Sequence, residues 1–200
     1  MRVSKNQAAK NREALVAAAG KLFRARGMDG VGVAEVAKEA GLTHGALYAH
    51  FSSKEMLAAE ALSAGLERSH QAMIRSRGEA APDFTSHLDY LLSPRMRDTV
   101  EMGCPMTASA SEIGRQSVEV STRFAAGLER MIATIQATLG GGHAHAEARR
   151  IAIAVVAAEI GAISIARAVA KSDLTLSNDI LSAVRVELGR LESHGVDRGD

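Results

Sequence analysis

The chain has no tryptophan, and its few phenylalanines and tyrosines make up only 3% of the residues, although 46% of its 200 residues are hydrophobic. Ala, Leu, Ile, Val and Met must therefore fill any core, a set that suits close helix–helix packing better than a β-sandwich. Proline occurs only at Pro82, Pro94 and Pro105, so long uninterrupted helices are open to the sequence on either side of that stretch. Cys104 is the only cysteine, which excludes an intramolecular disulfide and points to a reducing compartment. The amino-terminal MRVSKNQAAKNREAL is basic in places but lacks the apolar run of a signal peptide. Ile151 to Ala166 is the one membrane suspect. At about 1.5 Å per residue it spans roughly 24 Å, short of a ~30 Å hydrocarbon core, and Glu159 sits in its middle. It reads as a buried helix of a cytoplasmic protein with no membrane partner.

Catalytic signatures are also missing. The sequence has no phosphate loop, no HExxH, no GxSxG and no carboxylate pair at a useful spacing. An enzyme would have to rest on Cys104 as nucleophile with His87 or a later histidine as base, so no catalytic residue, cofactor or metal is expected. His143, His145 and Glu147 follow a triple glycine and have no further ligand cluster.

The formal net charge of +1 conceals an asymmetry. Residues 1–56 hold nine Lys and Arg against five acids, a surplus of four, and the remainder has a deficit of three. A basic head on an acidic body suits a DNA-reading module joined to something else.

The most informative stretch runs from Gly27 to Leu57. Val33, Val36, Ala37 and Ala40 make one apolar stripe of a two-turn helix, and Gly41 ends it where a left-handed residue costs least. Thr43 then offers an N-cap oxygen to a second short helix. That helix carries Leu47 inward and leaves His44, Gly45, Ala46, Tyr48 and His50 largely outward. Two short helices joined by a turn containing Gly form the unit that lays a recognition helix in the major groove of DNA. A first helix over Lys5–Arg26, with Leu15, Ala19, Leu22 and Phe23 as its stripe, precedes the pair. Ser52-Ser53-Lys54-Glu55 spells the S-x-x-E capping box of a fourth.

Beyond it, Leu62, Leu66 and Met73 line a helix that could reach Arg77. Short helices are expected near Phe84–Leu92 and Thr107–Arg115, punctuated by Pro94 and Met102-Gly103-Cys104-Pro105. A longer helix starts near Ser117, with Phe124, Leu128, Met131, Ile132, Ile135 and Leu139 on one side and Gly140-Gly141-Gly142 as its stop. Two more are expected, Ala146–Lys171 and Leu176–Glu192. The first of these is apolar nearly all round, and Ala157, Ala158, Gly161, Ala162 and Ser164 would let another helix approach closely. His194 to Asp200 is expected to fray. The fold class is all-α: an N-terminal three-helix domain over residues 1–53 and a larger helical domain over 54–200.

The string AGLTHGALYAHFSSKEML closely resembles the DNA-binding signature of the tetracycline-repressor (TetR) family. The resemblance covers about the first four helices. It implies that Thr43 caps the recognition helix and meets a phosphate, and that Tyr48, His50 and Lys54 donate to phosphates. It further implies that Gly45 permits close approach and that His44 and Ala46 read base edges. Gly32 departs from the pattern, since the family commonly has Thr there to supply a hydroxyl. Arg2, Lys5, Lys10 and Arg12 could form an arm that touches the DNA.

The resemblance implies a homodimer through the last two long helices, bound to a double-stranded DNA operator and released by a small ligand in the body. Repression rather than activation is an inference from the family. A small apolar ligand fits a body rich in Met, and the candidate lining is Met73, Phe84, His87, Tyr90, Met102, Cys104, Met106 and Phe124. The string MGCPMTASASEIG resembles a segment of one branch whose cysteine senses oxidants or electrophiles in some members. Sensing through Cys104 is therefore the alternative mechanism. A helical protein-binding adaptor is the alternative from another class.

Overall fold

The computed structural model describes residues 5–76, 83–101, 103–139 and 144–193. Every regular element among them is a helix: α1 (Lys5–Arg26), α2 (Val33–Glu39), α3 (His44–Tyr48), α4 (Lys54–Ser76), α5 (Phe84–Leu91), α6 (Pro94–Asp98), α7 (Pro105–Ile113), α8 (Val118–Thr138), α9 (His145–Val169) and α10 (Leu174–Ser193). The all-α expectation holds. The helices fall into two compact units, one comprising residues up to Arg68 with Cys104–Gly127, the other Ser69–Gly103 with Leu128 onward. The expected helix end at Arg77, the triple-glycine stop and the frayed terminus lie outside the described residues.

The first unit contains α1 to α3, most of α4, α7 and the start of α8. Leu15 and Phe23 of α1, Val36 and Ala37 of α2, Leu47 of α3 and Leu57, Leu62 and Leu66 of α4 are all buried. Small side chains leave gaps unless helix axes approach closely, and glycines make the approach possible. A Cβ on Gly65 would lie 2.8 Å from the Pro105 ring, and one on Gly127 would lie 2.5 Å from a Leu66 methyl. Hence α4 is packed against α7 at one glycine and against α8 at another. Exposed pairs between Lys21 and Glu39 (2.8 Å) and between Arg26 and Glu35 lie along α1 and α2. Such solvent-screened pairs add little to stability.

In the second unit, α9 and α10 form the main helix pair, with α5 against α10 and α6 against α9. Its polar joint is Arg97, only 5% exposed. The guanidinium donates to Asp98, to Ser177 Oγ at 3.0 Å and to Asn178 Oδ1 at 2.7 Å, while Ser177 Oγ donates to the Ala166 carbonyl. Arg167 donates to the carbonyl oxygens of Met96 and Arg97, which have no helical partner so near the end of α6.

Several helix ends differ from expectation by a residue or two, and three of the starts have a local cause in a cap or a proline. Pro94, expected only as punctuation, is the first residue of α6, where Ser93 caps by accepting from the Met96 amide at 3.2 Å. A missing N–H costs nothing at that position. The same preference starts α7 at Pro105 rather than near Thr107. Asp173 Oδ1 accepts from the Leu176 amide at 2.9 Å, so α10 begins two residues before the expected start at Leu176.

Glycine substitutions separate close approach from mere turn composition. A Cβ on Gly103 would collide with the Thr99 carbonyl oxygen, which is backbone, whereas one on Gly114, at φ −62°, would meet nothing. Gly103→Ala is expected to destabilise the protein by about 2 kcal/mol. Gly114→Ala is expected to stabilise it by about 0.5 kcal/mol through the unfolded chain. Urea midpoints of the two variants check both signs.

Candidate nucleic-acid interface

The α2–α3 pair is shaped by two consecutive caps. Ala40 ends α2, Gly41 adopts φ +68°, and the amides of Gly41 and Leu42 turn back onto the carbonyls of Lys38 (3.0 Å) and Ala37 (2.8 Å). This is the Schellman arrangement, and only glycine takes its left-handed position without strain. One residue after Leu42, Thr43 opens α3 in extended conformation and accepts from the Ala46 amide through Oγ1 at 3.2 Å. The hydroxyl serves as acceptor there, so its proton remains able to donate outward.

Between those caps, α3 has five residues and a single fully buried side chain, Leu47. Burying Leu47 fixes the rotation of the helix and therefore its outward face. His44, Gly45 and Tyr48 are exposed, and Ala46 and His50 are half-buried. Tyr48 is 49% exposed, and its ring meets His44 edge to face with centroids 5.1 Å apart. A Cβ on Gly45 would meet nothing within 4 Å, so the fold of the chain itself does not require glycine there. After the turn, Phe51 is buried with the Arg12 guanidinium 4.7 Å above its ring.

Lys54 is the first residue of α4, and its cap differs by one residue from the capping box in the sequence. Ser53, not Ser52, accepts from the Met56 amide at 3.2 Å. The Ser53 hydroxyl and the Glu55 amide both hydrogen-bond the Glu55 carboxylate and hold it below the ordinary carboxylate range. Thr43, His44, Gly45, Ala46, Tyr48, His50 and Lys54 thus lie on α3, its flanks and the start of α4, all within the first unit.

Of the four residues of the basic arm, Lys5, Lys10 and Arg12 lie among the described residues. Lys5 and Lys10 are exposed on α1, but Arg12 is ion-paired with Glu60 and stacked on Phe51, so it braces α1 against α4. Arg2 lies outside the described residues. Gly32 caps α2 with no side-chain bond, and the Glu35 and Val36 amides point to its carbonyl.

The candidate ligand residues divide between the units. Met73, Phe84, His87 and Tyr90 belong to the second, Cys104, Met106 and Phe124 to the first, and Met102 lies outside the described residues. Phe84 and His87 share the buried stripe of α5, and Met73 is buried on α4. A cavity of about 20 Å³ in the first unit, room for one water, is lined by other residues, including Phe23, Met28, Leu62 and Pro105. A more open groove of about 340 Å³ in the second unit lies among Leu92, Pro94, Asn178, Leu181 and Arg185. None of the seven candidates among the described residues lines either one.

Cys104 is 4% exposed and occupies the N-cap of α7 without a side-chain cap bond. His145 contacts Gln136 and Glu147 pairs with Arg150, while His143 lies outside the described residues. Among the described residues no group of three potential metal ligands forms.

Glu159 is a residue whose significance sequence reasoning missed, having weighed it only as a charge against a membrane span. By length and composition α9 could cross a membrane, yet Glu159, at 1% exposure in its middle, faces the equally buried His87. His87 Nε2 lies 3.1 Å from Glu159 Oε1, which lacks a well-directed hydrogen bond, and 3.4 Å from Oε2. Burial raises the carboxyl above its usual range, and the imidazole opposes that shift only in part.

Comparison with known proteins agrees with this geometry. Residues 15–61 match the family model described as bacterial regulatory proteins, tetR family, and residues 81–177 match the C-terminal domain of LmrA/YxaF-like transcriptional regulators. No curated protein sequence matches the chain. Among solved structures, a transcriptional regulator from Cytophaga hutchinsonii aligns at TM-score 0.77 with 18% identity, over 97% of this chain and 98% of the other. A TetR regulator from Chloroflexus aurantiacus aligns at 0.76 with 22% identity, over 94% and 96%. Reduced NemR from E. coli aligns at 0.72 with 21% identity, over 90% and 95%.

The buried carboxyl gives a pH signature. Unfolding frees Glu159 to lose its proton at an ordinary acidity, so the unfolded chain binds fewer protons between pH 4.5 and the raised native value. Stability from this group is full below that interval and lost as pH rises through it. Glu159→Gln should therefore flatten the decline of the melting temperature with pH, measured from pH 4.5 upward. An unchanged profile would contradict the assignment.

Proposed function

Because this chain belongs to the TetR family of bacterial regulatory proteins, we propose that it is a ligand-responsive repressor that binds a palindromic operator as a homodimer. The observation that carries this reading is the outward face of α3, fixed by the burial of Leu47 and by the caps at Gly41 and Thr43. On that face and beside it, Thr43, Tyr48, His50 and Lys54 serve as donors to phosphates, and Lys54 gains from the amino-terminal position in α4, where backbone amides also point outward. His44 and Ala46 read base edges, the first through its ring nitrogens and the second by contact with a thymine methyl. Gly45 lets the backbone lie close to the groove. Residues 1–53 act as the DNA-binding domain and residues 54–200 as the sensing and dimerisation domain of a cytoplasmic, non-enzymatic protein.

The dimer forms through α9 and α10. Ile153, Ile165, Leu176 and Val186 on these helices are close to half exposed, an apolar surface that a second copy would remove from water. Gly161 lies among them with open space where a Cβ would be, so its lack of a side chain serves nothing within one chain. Release follows when a small apolar ligand binds the DNA-incompetent arrangement more tightly than the competent one. Its candidate contacts remain Met73, Phe84, His87, Tyr90, Met102, Cys104, Met106 and Phe124. The position of Cys104 at the amino terminus of α7 supports oxidant or electrophile sensing as a second reading. Its burial weighs against direct attack, so ligand binding is preferred.

Selection of bound duplexes from a random pool should return an inverted repeat. Tyr48→Phe and Lys54→Ala should each weaken binding to every sequence, and Lys54→Ala should also reduce the salt slope by about 2 per dimer. Retention of full affinity by both variants would remove the proposed docking. For the dimer, Gly161→Leu starts from a Cβ position that is open in the single chain and adds bulk at the proposed contact, so sedimentation should shift from dimer to monomer. A Gly161→Leu protein that stays dimeric would place the contact elsewhere.

A further inference from the structure

We infer that Glu112, on α7, is a positioning residue for DNA binding: it holds the turn between α1 and α2 and so sets the attitude of the α2–α3 pair. This rests on the DNA-binding reading above. The turn is the loosest part of the head by composition, since Gly27-Met28-Asp29-Gly30-Val31-Gly32 has three glycines in six residues. Nevertheless the turn is fixed. Glu112 Oε2 accepts from the Met28 amide at 2.9 Å, and Gln116 Nε2 donates to Asp29 Oδ1 at 3.2 Å. Among the described residues, these are the side-chain hydrogen bonds that reach the turn from outside the head, and both originate at or just beyond the end of α7.

Gly27 is shaped for the contact. It ends α1 at φ +78°, and a Cβ there would lie 2.5 Å from Glu112 Oε1. No other residue combines that backbone angle with room for the carboxylate. Glu112 is itself anchored, because α7 is keyed to α4 at its other end, where the Pro105 ring occupies the space left by Gly65. Met106 and Ile113 are buried along its length, and Met28 and Val31 are buried in the turn beneath Glu112. α7 is thus a strut with a glycine socket at each end, and the chain enters it from the second unit at Gly103–Cys104. Without the carboxylate, the turn keeps its glycines but loses the acceptor that holds the Met28 amide, and α3 is offered to the DNA over a wider range of angles. Binding that needs two recognition helices in register suffers most from that spread, while loose phosphate contact suffers least.

The test compares Glu112→Ala with Glu112→Gln, which keeps a carbonyl acceptor. Glu112→Ala should bind the selected inverted repeat at least tenfold more weakly, with random-duplex affinity and melting temperature close to the parent, and Glu112→Gln should recover most of the loss. Amide exchange without DNA should show faster exchange at Met28 and through α2 and α3 in Glu112→Ala only. Parent-like affinity in Glu112→Ala overturns the inference, as does a loss matched on random duplex or in melting. If the parent protein selects no sequence, the DNA reading has failed, and amide exchange alone judges Glu112. Exchange unchanged across α2 and α3 then overturns its positioning role.

Discussion

A core without tryptophan and nearly without rings coheres only where its helices come close, and in the first unit the closest approaches are made at glycines. Each missing Cβ is occupied by a neighbour: the Pro105 ring at Gly65, the Leu66 side chain at Gly127, the Glu112 carboxylate at Gly27. Dispersion between such groups is small per atom pair and large in sum, and it falls off within an ångström of separation. The short helix α3 depends on its neighbours because Leu47 is its one buried side chain. Its orientation is therefore inherited from α2, on which it packs, and from α1, on which α2 packs, rather than generated by its own few residues.

Much of this was legible in the chain. The stripe of α2, the glycine after it, the Thr43 cap and the inward Leu47 all follow from local spacing and cap chemistry, and the structure has them as read. Short-range signals suffice where the partners are within four or five residues. What was not legible is long-range. Nothing near Arg12 announces that Glu60 and Phe51 hold it, and nothing in the MGCPMTASASEIG string says that its one carboxylate belongs to a turn more than eighty positions earlier. The proline signal was legible but ambiguous, since Pro94 and Pro105 could end an element or begin one; both begin a helix, the first behind the Ser93 cap and the second behind Cys104, which makes no side-chain cap bond.

The second unit uses a different principle. Arg97 and the His87–Glu159 pair place charged or chargeable groups where apolar ones would be easier to bury. A buried ion pair seldom adds net stability over well-packed apolar residues, but a broken one is costly. The Arg97 guanidinium has three acceptor side chains, Asp98, Ser177 and Asn178. Glu159 is less completely served, with one oxygen lacking a well-directed partner. The unit thus has one well-partnered polar joint and one less completely partnered, and His87 of the second is among the residues proposed for ligand contact.

The edge-to-face contact between His44 and Tyr48 has an evolutionary consequence. The proposed roles divide labour between them, one ring reading a base and the other gripping the backbone, yet each is the other's packing neighbour. A descendant that replaced residue 44 to recognise a new operator would also remove the edge on which Tyr48 rests. Operator preference and overall grip would drift together, so lineages would change their target by paired steps at 44 and 48.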